Sequence, residues 1–200
     1  MKRLGIVVLV GLCALPARGD QIELSTNVLH AMTQIGSVPT KQEIEDIFPG
    51  NTASQLTDIA GSDDVDFGVR LRAIRALPQF CLAPCATSPV HQSLVTLIEN
   101  VRSQQVGDST GKVILLLRAA IEAIGVAKAG TGDVSLLVGF LDNPSRDLRA
   151  AAAFALRDLC EQAAVAPLRA RYNIEMGSTG VPQVRLAISA ALRDLNTCSN

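Results

Sequence analysis

The amino-acid sequence predicts an all-α fold, an α-solenoid of about four stacked helix pairs. Three observations lead there. One nine-residue pattern recurs four times along the chain. Each copy places small or apolar residues at i, i+4 and i+7, the spacing of a buried helix face. Aromatic residues make up only 3% of the chain and tryptophan is absent, while Ala and Leu abound. Close-packed helices suit that composition better than β-sheets, which draw on aromatic and β-branched residues.

The four copies span residues 69–77, 117–125, 148–156 and 184–192. Each opens with an aliphatic residue followed by an arginine, namely Arg70, Arg118, Arg149 and Arg185. The last two copies also share the pentapeptide Ala-Leu-Arg-Asp-Leu, at 155–159 and 191–195. Their starts lie 48, 31 and 36 residues apart, the range of stacked helical arrays. The long first interval holds an insertion, residues 78–89, with Cys81, Cys85 and three prolines. A helix cannot run through that segment.

A first helix is expected ahead of each copy. Residues 52–60 precede the first. Residues 89–101 precede the second, where Val90, Leu94, Leu97, Ile98 and Val101 form one apolar stripe. Residues 133–141 and 163–174 precede the third and fourth. Earlier still, residues 40–47 read as a capping helix with Thr40 at its N-cap and an acidic first turn. Residues 24–35 are either a further helix or a flexible lead-in. The organisation expected is thus a leader at 1–19, a lead-in and capping helix at 20–51, and a repeat domain at 52–200.

The motif of aliphatic-Arg-x-x-(Ala/Ile)-x-x-(Ala/Ile), with an acidic or Pro-containing turn before it, resembles the HEAT-repeat family, close to its lyase-associated HEAT-like branch. Asp63-Asp64, Asp142-Asn143-Pro144 and Gly180-Val181-Pro182 occupy that turn, and the likeness covers residues 52–196. The second copy departs from it, ending in Gly125 and lacking a turn Asp. The resemblance implies antiparallel helix pairs stacked into a right-handed superhelix. It also implies an alternative function, an enzyme or lyase accessory acting on tetrapyrroles. Such an activity wants a pocket and a cytoplasmic address.

The first residues argue for export instead. Lys2 and Arg3 precede twelve apolar residues, 4–15, then Pro16 and Ala17-Arg18-Gly19. That is a cleavable leader, with cleavage expected after Gly19; a membrane span needs about 20 residues. The alternative is a lipoprotein acylated at Cys13, although Leu12 stands where a small residue is preferred. Loss of Lys2, Arg3 and Arg18 changes the balance from 18 Lys+Arg against 19 Asp+Glu to 15 against 19. A mildly acidic surface releases no counterions from phosphates, so nucleic acid is not an expected partner. The longest later apolar run, residues 113–127, is interrupted by Arg118 and Glu122, so no membrane span is expected. A periplasmic or extracellular location follows.

Four cysteines then remain, Cys81, Cys85, Cys160 and Cys198, an even number that favours disulfides. Cys81 and Cys85 flank one short loop. Cys81 and Cys160 each lie twelve positions after the start of their copy, and Cys198 fourteen. All three therefore stand just past the end of a second helix. Neighbouring helices pack 8–10 Å apart, so ends two repeats apart lie roughly 20 Å away. Bonded cysteines need Cα atoms within about 7 Å. The expected pairs are Cys81–Cys85 and Cys160–Cys198.

Chemistry is sparse. The repeated arginines are expected to lay their stems between layers and bond to helix-end carbonyls or turn acids, Asp63, Asp64, Asp66, Asp142 and Asp147. His30 and His91 lie in unrelated segments, with no nucleophile elbow, HExxH or phosphate loop. Cys81, Cys85 and His91 lack a fourth zinc ligand, and the cysteine spacing is one residue longer than a CxxC redox motif. No catalytic residue, cofactor or metal is expected. The function expected is a monomeric scaffold binding a protein or peptide on its second helices, through Arg72, Arg75, Glu122, Arg157, Asp158, Arg193 and Asp194. A passive structural role in the envelope, with those charges only solvating the surface, is the other alternative.

Overall fold

In a computed structural model, residues 24, 26–33, 39–108, 110–128 and 130–198 are described. The expected leader and Cys13 lie outside them, as does the side chain of His30. The described residues form helices and turns, with no strand among them. The helices are α1 (Thr26–Thr33), α2 (Lys41–Ile47), α3 (Thr52–Gly61), α4 (Phe67–Ala76) and α5 (Pro89–Ser103). They continue with α6 (Lys112–Ala127), α7 (Gly132–Val138), α8 (Arg146–Leu159), α9 (Val165–Glu175) and α10 (Pro182–Leu195).

Local chemistry sets most of the starts. Thr40 and Glu43 close a capping box on α2: Glu43 Oε2 accepts from the Thr40 amide at 2.7 Å, and Thr40 Oγ1 accepts from the Glu43 amide at 3.3 Å. Asp66 accepts from the amides of Gly68 and Val69 and so starts α4. Ser88 caps α5, whose first residue is Pro89. At the start of α6, Asp108 Oδ1 accepts from the Thr110 amide at 2.8 Å and Oδ2 from the Val113 amide at 2.9 Å. An acid therefore does stand in the second copy's turn, set further from the helix because α6 begins at Lys112.

Packing follows the pairs. α3 lies on α4, α5 on α6, α7 on α8 and α9 on α10, while α4, α6, α8 and α10 form a row in that order. α1 packs on α4 through the buried Val28 and Met32, so the lead-in carries a helix. The core between layers is aliphatic: Leu56, Ile59, Ile74, Leu94, Ile98, Leu117, Ile121 and Ile124 are all buried. Each such side chain contributes about 1.5–3 kcal/mol relative to exposure. Where second helices meet, the residues are small. Ala151, Ala152, Ala153 and Ala155 of α8 are buried, and a Cβ on Gly125 of α6 would stand 2.7 Å from Ala155 Cα.

Three details differ from the sequence-based expectation. The helix expected at 133–141 stops at Val138, because Gly139, Phe140 and Leu141 tighten into turns that bury Phe140. The insertion is not wholly irregular, for it holds two short 3-10 turns, Leu77–Phe80 and Cys85–Thr87. The third concerns register. In α4 and α8 the arginine of the motif is buried, whereas Arg118 of α6 points outward. Leu117 takes the buried place of Arg70 and Arg149, and Arg118 that of Leu71 and Ala150. Leu115, Leu116 and Leu117 offer three successive aliphatic anchors, so ungapped superposition slides by one residue.

The cysteines pair as expected, within the short loop and between the ends of the last two second helices. Cys81 and Cys85 are bonded with Cα atoms 5.3 Å apart, and Cys160 and Cys198 with Cα atoms 5.6 Å apart.

Two measurements follow. Gly→Ala in an exposed helix interior stabilises by up to about 1 kcal/mol; Gly125→Ala is expected to destabilise instead, by about 1–3 kcal/mol, in urea unfolding. Replacing Cys160 and Cys198 by Ser opens a separation of 38 residues, against 4 for Cys81 and Cys85. Loop entropy puts the costs near about 4 and about 2 kcal/mol respectively. Equal shifts in the unfolding midpoint would show that loop length is not the controlling factor.

Candidate functional site

The site rests on turns held by buried arginines. Arg70 donates from Nε to the Ala60 carbonyl at 3.3 Å and from Nη1 to Asp63 at 2.6 Å. Arg149 donates from Nη1 to the carbonyls of Asn143 and Pro144, and from Nε to Glu175 at 2.9 Å. Glu175, only 1% exposed, also accepts from Arg171 and from the Val181 amide. Arg171 reaches on to Asp142 at 2.9 Å. Burial raises the Glu175 pKa; the hydrogen bonds from Val181 and Arg171 and the charges of Arg149 and Arg171 outweigh it, leaving the carboxyl below its usual range.

Two of the four expected arginines therefore behave as the sequence suggested. Arg118 does not: it pairs with Glu122, one turn along its own helix, at 2.8 Å. The Arg185 side chain makes no hydrogen bond or ion pair with another described residue. Of the turn acids, Asp63 alone meets its own motif's arginine, while Asp66 caps a helix and Asp147 lies 3.9 Å from Arg146. Glu175 was missed. The Arg171–Glu175 spacing, one turn apart and just before a Gly-Pro turn, was the available signal.

With the register corrected, the outward face of the second helices can be read row by row. Leu71, Arg118, Ala150 and Leu186 occupy one equivalent position; Arg75, Glu122, Phe154 and Ala190 occupy the next. Arg157 and Arg193 follow one turn later. Arg75 and Glu122 meet across α4 and α6 at 3.8 Å, and Arg118 completes the cluster. Arg157 lies over the Phe154 ring, 5.1 Å from its centroid, and pairs with Asp158 at 2.7 Å. Arg193, mostly exposed, lies 3.4 Å from Asp194. Exposed pairs of this kind contribute about 0–1 kcal/mol, so their geometry is cheap to rearrange. Leu115, Val126 and Leu186 add exposed apolar surface. Phe154 and these aliphatics were not singled out from sequence, and Arg118 was expected between layers, because which helix face stays open depends on packing.

The remaining expected residues fall off this face. Arg72 corresponds to Ala151 and is half-buried on the flank of α4. Asp158 and Asp194 are half-buried on their flanks, each held by the arginine before it. Comparison with family models, with curated proteins and with solved structures finds no match for the chain.

Elsewhere, His91 Nε2 lies 2.7 Å from Asp133 Oδ1, joining α5 to α7, while Asp133 Oδ2 is buried with no partner among the described residues. No group of three or more His, Cys, Asp or Glu residues is placed to hold a metal ion among the described residues. No described helix is long and apolar enough to cross a membrane.

Glu175 carries a pH dependence with a defined sign. A depressed folded pKa contributes stability above the unfolded carboxylate value, about 4.3, and that stability is lost as pH falls through the folded value. Glu175→Gln is expected to cost about 3–5 kcal/mol at neutral pH, leaving Arg149 buried and unpaired, and to flatten the acid limb of stability against pH. An unchanged acid limb in denaturant titrations would remove Glu175 from this role.

Proposed function

We propose that the protein is an exported, HEAT-type α-solenoid that acts as a binding scaffold and not as an enzyme. Its partner is a protein or peptide, held on the outward face of α4, α6, α8 and α10. The observation carrying this reading is the common exposed face on which Arg75, Arg118, Phe154, Arg157, Leu186 and Arg193 fall. Arginine and aromatic side chains ringed by small and aliphatic ones are what protein interfaces enrich.

Export is supported by the cysteines, since all four described ones are paired, as oxidising compartments favour. The leader pattern of residues 1–19 agrees with it. A monomer is the reading taken with the outer flank of α10, where Ser189 is exposed and Arg185 and Leu192 are half-buried.

Arg157→Glu with Arg193→Glu reverses two rungs of the face without touching the core. Capture of a partner from envelope extract by the oxidised protein is expected to disappear with this pair of substitutions. Capture that persists unchanged would leave the arginines as solvation, since each already pairs with its own neighbour.

A further inference from the structure

On the side made by the first helices, α3 and α5 leave between them a groove of about 400 Å³, within the range of ligand sites. Buried Ala60, Leu77 and Leu97 floor it, and one face of α5 walls it with Gln92, Thr96 and Asn100. Towards the start of α3 it runs on into a second hollow of about 390 Å³, sharing Thr57, Pro89 and Ser93. Among the described residues, no ionisable side chain lines either hollow.

The polar groups divide into two kinds. Thr57 and Ser93 already donate to the carbonyls of Ala53 and Pro89 within their own helices, both at 2.9 Å. Gln92, Thr96 and Asn100 make no side-chain hydrogen bond with any described residue. They stand at i, i+4 and i+8, so they rise about 6 Å apart along α5. An extended polypeptide repeats its outward main-chain groups every two residues, at about 6.6 Å. Amide and hydroxyl side chains both donate and accept, as the main chain does.

We propose that this groove binds an extended, uncharged stretch of polypeptide. Gln92, Thr96 and Asn100 bond to its main chain, and its small apolar side chains rest on Leu77 and Leu97. The ten residues of α3 make the groove about 15 Å long, room for about four or five extended residues. A charged segment would lose water here and gain no counter-charge. The site is separate from the outward face of the second helices and stands or falls independently of it.

The test uses the oxidised full chain and acetylated, amidated eight-residue peptides in neutral, acidic and basic families, read by fluorescence anisotropy. Neutral peptides are expected to bind. N-methylation of alternate amides is expected to weaken them about tenfold, the loss of one to two hydrogen bonds. Thr96→Arg, at an exposed position that leaves the urea midpoint unchanged, is expected to abolish binding, while Arg157→Glu with Arg193→Glu leaves it intact. The proposal is overturned by a preference for charged peptides, by indifference to N-methylation or to Thr96→Arg, or by no neutral binding at millimolar peptide. A dimer in sedimentation that Thr96→Arg dissolves would assign the groove to a second copy of the chain instead.

Discussion

How closely the second helices approach one another governs everything else in this molecule. Gly125 against Ala155, and the run of buried alanines on α8, bring backbones nearly into contact. Helix axes separated by bulky side chains sit towards 10 Å apart, and small contacts bring them towards 8 Å. The aliphatic bulk therefore lies between the two layers and not within the row. That is why a chain with so few aromatic residues still buries a continuous core from Val28 to Leu195.

Tight approach crowds the turns, and the arginines answer that crowding. Arg70 takes up the Ala60 carbonyl in the last turn of α3, and Arg149 the turn carbonyls of Asn143 and Pro144 ahead of α8. Their acidic partners differ in kind. Asp63 is 79% exposed, so its bond to Arg70 is screened by water; Glu175 is enclosed, and two arginines and an amide share it. The same residue at the same motif position thus makes a loosely held turn near one end and a rigid one near the other. Gly180 belongs to the rigid one, because any Cβ there would overlap the backbone of Glu175.

Much of this was legible in the sequence. The helices announce themselves through the i, i+4, i+7 stripe and, for α2, through Thr40, whose short side chain caps locally; Asp66, expected as an arginine's partner, caps α4 instead. Of the cysteine pairs, Cys81–Cys85 followed from the short loop that it closes and Cys160–Cys198 from register. Other features were not legible because packing decides them. Three consecutive leucines in α6 fit the motif in two registers, and only burial separates Leu117 from Arg118. Glu175 becomes a partner of Arg149 through a fold that brings positions 26 residues apart together. The outward face was half legible: Arg75, Arg157 and Arg193 stood out, whereas Phe154 lies off the stripe of its copy and gave no signal of its own.

The bond between Cys160 and Cys198 encloses all of α9 and α10. Rows of helix pairs ordinarily fray from both ends, since a terminal pair has one neighbour only. Here α9 and α10 lie inside a loop that is bonded to the end of α8, the helix on which α10 packs. Separation of α10 from α8 is therefore limited to the slack of one closed loop, a restraint that no described bond places on α4 and α6.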